Sequence, residues 1–182
     1  MQNRTLISLY LALSFVIPFR LNAQEALKTR PSPTSIESIK YKDTYIKITY
    51  CQPHKKGRQI FGELVPYGKI WRTGANEATE ITITDDILVE QDTLKAGTYS
   101  IFTIPRPNEW LVIFNSELGQ WGAYNYVESS DVLRVRVKTK TIEKDVVWEP
   151  FTISFDQINE KATLNMMWDK TIISIGIEFI EK

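Results

Sequence analysis

Beyond residue 36, apolar and polar residues alternate with a period of two, and this pattern constrains the fold more than any other feature. In "TYIKITY", Ile46, Ile48 and Tyr50 share one face while Tyr45, Lys47 and Thr49 share the other. "TEITIT" separates Ile81 and Ile83 from Glu80, Thr82 and Thr84, and "VLRVRVK" separates Leu133, Val135 and Val137 from Arg134, Arg136 and Lys138. Alternation of this kind predicts half-buried strands. "TYSIFTI" and "WLVIFN" are apolar or β-branched nearly throughout, which predicts central strands covered on both faces. "FTISF", "TLNMMW" and "TIISIGIEF" complete the set, with turn residues at Asp85-Asp86, Lys95-Ala96-Gly97, Pro105–Asn108 and Asp169-Lys170. The last of these predicts a tight hairpin between the two C-terminal strands. With no convincing amphipathic helix, the expected class is all-β. It is an antiparallel β-sandwich or jelly-roll-like barrel of about nine or ten strands, in one domain over residues 36–182. Nothing helical separates the strands, which excludes a βαβ architecture, and no repeat appears at a fixed period.

Two segments break this rhythm. Cys51–Thr79, "CQPHKKGRQIFGELVPYGKIWRTGANEAT", exceeds the roughly 12–15 residues beyond which unstructured loops become uncommon. Ile60, Phe61, Leu64, Val65, Tyr67, Ile70 and Trp71 give it the apolar weight of an ordered excursion, with a helical turn expected near Phe61–Val65. The second segment is Ser116–Asp131, where Trp121 lies between Gly119 and Gly122, ahead of Tyr124 and Tyr126. Loops on a rigid β scaffold are where binding residues concentrate.

The N-terminus reads as a targeting segment. Arg4, an apolar run from Leu6 to Phe19 and the small Ala23 form a secretory signal pattern, with cleavage expected near Ala23. The run is closed by Pro18 and Arg20 and falls short of the roughly 20 apolar residues of a spanning helix, so stable membrane insertion is not expected. The expected location is secreted or periplasmic. Residues 24–35, "QEALKTRPSPTS", carry two prolines and no apolar pattern, and read as an extended or disordered leader. Loss of Arg4 and Arg20 with residues 1–23 would reduce 22 basic residues to 20 against 22 acidic ones, a net charge of −2. No basic excess points to nucleic acid. The single cysteine, Cys51, cannot form a disulfide within the chain, so stability rests on a packed core, for which 5 Trp, 8 Tyr and 8 Phe supply material.

The densest cluster of special residues is "WRTGANE". Gly74 is expected to supply a positive φ, Asn76 to bond nearby backbone, and Arg72 and Glu77 to pair across the turn. In one reading the loop satisfies itself, with Trp71 plugging the barrel end. In the other, Trp71 is a stacking floor and Arg72, Asn76 and Glu77 are polar contacts of a small-molecule site. "GQWGAYNY" divides the same way: Trp121 and Tyr124 either form a second wall for a planar or sugar-like ligand or close the end of the sandwich. "HKKGR", ending at Arg58, reads as a solvated turn or an anion contact. Cys51 and His54 stand at Cys-x-x-His spacing, but zinc needs at least three protein ligands, so no metal is expected. A glycosidase would need two facing carboxylates about 5–10 Å apart. Glu77 is a weak candidate for one, and nothing selects its partner from Glu63, Asp85, Asp86, Glu128 and Asp131. No phosphate loop, nucleotide fingerprint or G-x-S-x-G elbow is present.

"KGRQIFGELVPYGKIWRTGANEATEIT", "LKAGTYSIFTIP", "EWLVIFN", "GQWGAYNY", "DVLRVRVK" and "FTISF", in this order, resemble the bacterial family catalogued as domain of unknown function 2911. The resemblance covers roughly Ser32 to the end. That family occurs mostly in Bacteroidetes, in proteins with signal peptides. The resemblance implies a secreted or periplasmic all-β domain and no established activity. Lys56, Gly57, Arg58, Phe61, Gly62, Trp71, Arg72, Gly74, Asn76, Glu77, Gly97, Tyr99, Trp121 and Gly122 coincide with its pattern. "CQPH" stands where members carry a Ser-Arg-Pro-like stretch, which sets Cys51 and His54 apart.

The expectation is therefore a β-domain that binds a small polar or carbohydrate-like ligand between the two loops, without a cofactor. Arg58, Trp71, Arg72, Asn76, Glu77, Trp121 and Tyr124 are the candidate contacts. The balance leans away from an enzyme. The alternatives are a hydrolase using Glu77 as general acid or base, and a structural envelope protein with no small-molecule site. No feature names a protein partner.

Overall fold

The computed structural model describes residues 29–142 and 146–180. The expected signal segment 1–23 and the start of the leader, 24–28, lie outside the described residues. Among the described residues eleven strands follow one another: β1 Thr34–Tyr41, β2 Thr44–Cys51, β3 Thr79–Ile83, β4 Ile87–Val89, β5 Asp92–Leu94, β6 Gly97–Pro105, β7 Glu109–Asn115, β8 Asp131–Thr141, β9 Trp148–Ile158, β10 Lys161–Asp169 and β11 Thr171–Phe179. A 3-10 turn, Glu128–Ser130, precedes β8. Among the described residues no helix is long and apolar enough to cross a membrane.

All pairings are antiparallel, in the order β1-β2-β3-β6-β7-β8-β11-β10-β9, with the β4–β5 hairpin joined to β11 through β4. This single sheet curls until its ends approach. Past β2 the chain runs beside the start of β9. There His54 bridges Pro150, the Phe151 amide donates to the Pro53 carbonyl at 2.8 Å, and the Lys55 amide donates to the Glu149 carbonyl at 2.7 Å. Of the two expected architectures, the nearly closed barrel is the one formed. β4 and β5 span three residues each, too short for alternation to register, which accounts for eleven strands rather than nine or ten.

The period of two does what it predicted. Ile46, Ile48 and Tyr50 face the core, where Ile46 opposes Ile83 and Ile48 opposes Ile81, and Val135 and Val137 are buried between exposed Arg134, Arg136 and Lys138. Such cross-strand apolar pairs contribute about 0.2–1 kcal/mol each. Trp168 opposes Thr171, leaving Asp169-Lys170 as the two-residue hairpin, with Asp169 at φ 55°.

β6 and β7 are apolar on both faces because both faces are covered. Inside they join the barrel core. Outside, Phe102 and Ile113 form a second buried cluster with Ala78, packed against Ile70, Ala123 and Tyr126 from the two long loops.

The Cys51–Thr79 excursion turns back into the barrel. Ile60, Phe61, Val65 and Trp71 are buried in the main core. The helical turn expected at Phe61–Val65 is absent. Gly62 at φ 95° is outside helical geometry, and the Val65 amide returns to the Ile60 carbonyl at 2.9 Å to close a tight turn.

Candidate functional site

The "WRTGANE" segment is built from its backbone and its threonines. Trp71 exchanges both backbone hydrogen bonds with Thr103 of β6, at 2.7 and 2.9 Å. Thr73 donates to the Thr103 hydroxyl at 3.1 Å, and the Thr79 hydroxyl donates to the Thr73 carbonyl at 2.6 Å. The Trp71 indole N–H donates to the Gly74 carbonyl at 3.1 Å, and its ring stacks on Trp168 at 5.9 Å and 17°. Phe61, Trp110 and Phe151 surround it edge-on.

Gly74 does not carry the positive φ expected of it; Thr73 and Asn76, both at φ 56°, do. Its role is close approach, since a Cβ there would lie 2.9 Å from the Cys51 carbonyl oxygen and 3.3 Å from the Thr79 hydroxyl. Gly74→Ala is expected to destabilise the fold by about 1–2 kcal/mol, in the range for overpacking. Urea denaturation checks this, and unchanged stability would show that the backbone yields.

The expected Arg72–Glu77 pair is also absent. Glu77 instead accepts two hydrogen bonds from Arg30, at 2.7 and 2.8 Å, and one from the Cys51 thiol at 3.4 Å. Bonding to Arg30, chiefly, with backbone and thiol donors adding to it, holds the Glu77 carboxyl below the usual carboxylate range, against the opposing effect of burial. Asn76 Nδ2 donates to the Ser32 carbonyl at 3.2 Å, and the Gln52 amide donates to the Pro33 carbonyl at 2.8 Å. Residues just ahead of β1 are thus tied to the loop, contacts no local sequence pattern could announce.

The two loops meet through their backbones. Glu77 bridges Trp121 in antiparallel fashion, the Ala78 amide donates to the Gln120 carbonyl at 2.8 Å, and the Gly122 amide donates to the Asn76 carbonyl at 2.9 Å. Residues directly opposite in an antiparallel bridge carry side chains on one face, which puts Trp121 and Glu77 on the same face of the seam. Trp121 is 56% exposed and Tyr124 82%. Gly122, at φ 70°, leaves the space the Tyr124 ring occupies, since a Cβ there would lie 2.7 Å from Tyr124 Cε2.

Consecutive residues of the loop line different cavities. Glu77 lines one of about 320 Å³ with Thr34, Thr49, Tyr50, Cys51, Ala78, Glu80 and Gly119. Asn76 lines another, of about 290 Å³, with Arg58, Arg72, Trp71 and Trp168. The candidate residues therefore separate: Glu77 lines the first cavity, Arg58, Trp71, Arg72 and Asn76 line the second, and Trp121 and Tyr124 line neither. Glu80, on the polar side of the alternation in β3, also lines the first cavity and accepts the Gly119 amide at 2.8 Å. None of Glu63, Asp85, Asp86, Glu128 or Asp131 lines it. Among the described residues no group of three or more His, Cys, Asp or Glu side chains is placed to hold a metal ion.

A family model described as protein of unknown function (DUF2911) matches residues 32–177. No curated protein and no solved structure matches.

Proposed function

We propose that this chain, which belongs to the DUF2911 family of proteins of unknown function, is a secreted or periplasmic binding domain for a small, carbohydrate-like ligand. The observation that carries the reading is the seam between the loops, where exposed Trp121 is paired through its backbone with Glu77, and Glu77 lines a cavity. An aromatic face for a sugar ring, with a few fixed polar groups for its hydroxyls, is the usual make-up of such a site. Glu77, Glu80 and Thr49 are the polar groups, and Tyr124 extends the apolar surface. The signal pattern ending near Ala23 supports export.

Two carboxylates, Glu77 and Glu80, line the same cavity, and this favours one second reading, a hydrolase. Arg30 keeps Glu77 ionised, which suits a base or nucleophile and opposes the role of proton donor.

Calorimetric titration with a panel of neutral mono- and oligosaccharides tests the proposal. A saccharide that binds wild type should bind Trp121→Ala and Glu77→Gln at least tenfold more weakly, with melting temperature unchanged for the exposed Trp121. Equal affinity in both variants, or no binding by any saccharide, overturns it. Release of reducing ends that is lost in Glu77→Gln would establish the hydrolase.

A further inference from the structure

The second cavity has a different chemistry. Arg58 and Arg72 form its polar wall with Asn76 and Ser32, while Trp71, Trp168, Val65 and Leu64 supply an apolar floor; no carboxylate lines it. Its volume of about 290 Å³ suits a small molecule.

Each polar group has its attachments except one. Arg58 donates through Nε to the Lys55 carbonyl at 3.0 Å and through one terminal nitrogen to the His54 carbonyl at 2.5 Å, bonds that hold the guanidinium in place. Asn76 is anchored to Ser32. Arg72 has no side-chain hydrogen bond or ion pair to any described residue, and its Nε is closed off from solvent without a partner. A buried donor with no acceptor is rare in folded proteins and calls for an explanation such as a bound ion or ligand. The segment that carries Arg72 is rigidly held, because Trp71 and Thr73 on either side of it bond to Thr103. The backbone at Arg72 is therefore fixed, and the terminal nitrogens of its guanidinium, unlike Nε, are not closed off from solvent.

We propose that this cavity is an oxyanion site, in which Arg72 and Arg58 receive the carboxylate, sulfate or phosphate of a small acidic molecule whose body rests on the Trp71–Trp168 floor. Guanidinium forks match these groups in planar, often bidentate geometry and make their strongest hydrogen bonds to charged acceptors. With two cations and no anion along its wall, the cavity discriminates against neutral and cationic ligands by charge alone. The two cavities share no lining residue, so the two sites can be occupied independently.

Thermal shift and calorimetry on the chain provide the test, with sodium glucuronate, sulfate and phosphate as probes and chloride at matched ionic strength as reference. Saturable stabilisation by at least one probe beyond chloride is expected, weakened at least tenfold in Arg72→Gln and in Arg58→Gln. Arg58 is exposed, so its variant keeps the test valid should Arg72→Gln fold poorly. Arg136→Gln, on the outer face of β8, and Trp121→Ala should bind the probe as wild type does. Response to glucuronate alone assigns the carboxylate source, and response to sulfate or phosphate alone assigns the tetrahedral one. A response equal to chloride, or affinity unchanged in both arginine variants, overturns the proposal. Because the probes are anions and the seam is tested with neutral saccharides, either result stands without the other.

Discussion

Trp71→Ala is expected to lower stability by about 3–5 kcal/mol, which in a domain of this size is roughly 6–20 °C in Tm. The ring is 8% exposed and touches four other aromatic rings, all members of the main core. Removing it leaves a void at the point where the excursion enters the barrel, and the loss of the indole donor leaves the Gly74 carbonyl unpaired. Neighbouring Phe61 and Trp168 cannot close that gap, since each is committed to other rings. Trp71→Phe retains most of the packing and forfeits the indole hydrogen bond, with an expected cost of about 1 kcal/mol for that bond. Urea denaturation followed by far-UV circular dichroism measures both. The contrast that matters is with Trp121→Ala, an exposed position expected to stay within about 0.5 kcal/mol of wild type. Should Trp71→Ala keep wild-type stability, the ring is not the plug of the barrel.

This contrast also marks where sequence reasoning stops. The alternation in β2, β3 and β8 and the continuous apolar runs of β6 and β7 could be read directly, because burial on one or both faces writes itself into consecutive residues. The two tryptophans of the loops could not be told apart that way. Trp71 and Trp121 each sit near glycines in aperiodic segments, yet one is in the core and the other faces solvent, because Trp71 pairs with Thr103 of β6 while Trp121 pairs with Glu77 of the other loop. The ion pair failed for a related reason. Arg72 and Glu77 are near in sequence, but Glu77 turns toward Cys51 and Arg30, 47 residues from it along the chain. Arg30 lies in a stretch with no periodicity to reveal a role. Positive φ and close approach both select glycine, and at Gly74 only the Cys51 carbonyl facing it distinguishes them. The separation of one candidate site into two cavities follows from closure of the loop against 116–131, a tertiary fact without local trace.

Between pH 10 and pH 12 the chain should lose stability that Tyr126→Phe retains. The Tyr126 hydroxyl donates to Asp131 Oδ2 at 2.6 Å, and the same carboxylate, its side chain 5% exposed, accepts from Asn115 Nδ2 and Arg134 Nε, both at 2.7 Å. Burial, followed by the hydrogen bond and negative charge of Asp131, pushes the Tyr126 phenol up to about 12, with Arg134 opposing. An unfolded tyrosine ionises near about 10. The folded value is the higher one, so the folded state holds the proton longer. The contribution is complete below pH 10, declines as the unfolded chain ionises, and is gone above pH 12. At 1.36 kcal/mol per unit, a two-unit rise sets an upper limit near 2.7 kcal/mol, and solvent screening at this partly exposed ring reduces the expected figure to about 1 kcal/mol. Tyr99, raised by burial, adds a decline of the same sign that Tyr99→Phe removes separately. At pH 8, Tyr126→Phe should be the less stable protein by about 1.5–3 kcal/mol, because it lacks a hydrogen bond to a charged acceptor. Denaturation midpoints at pH 8, 10 and 11 therefore converge for the two proteins as pH rises. Curves that stay parallel over this range would show that the Tyr126 proton is held no more tightly in the folded chain than in the unfolded one.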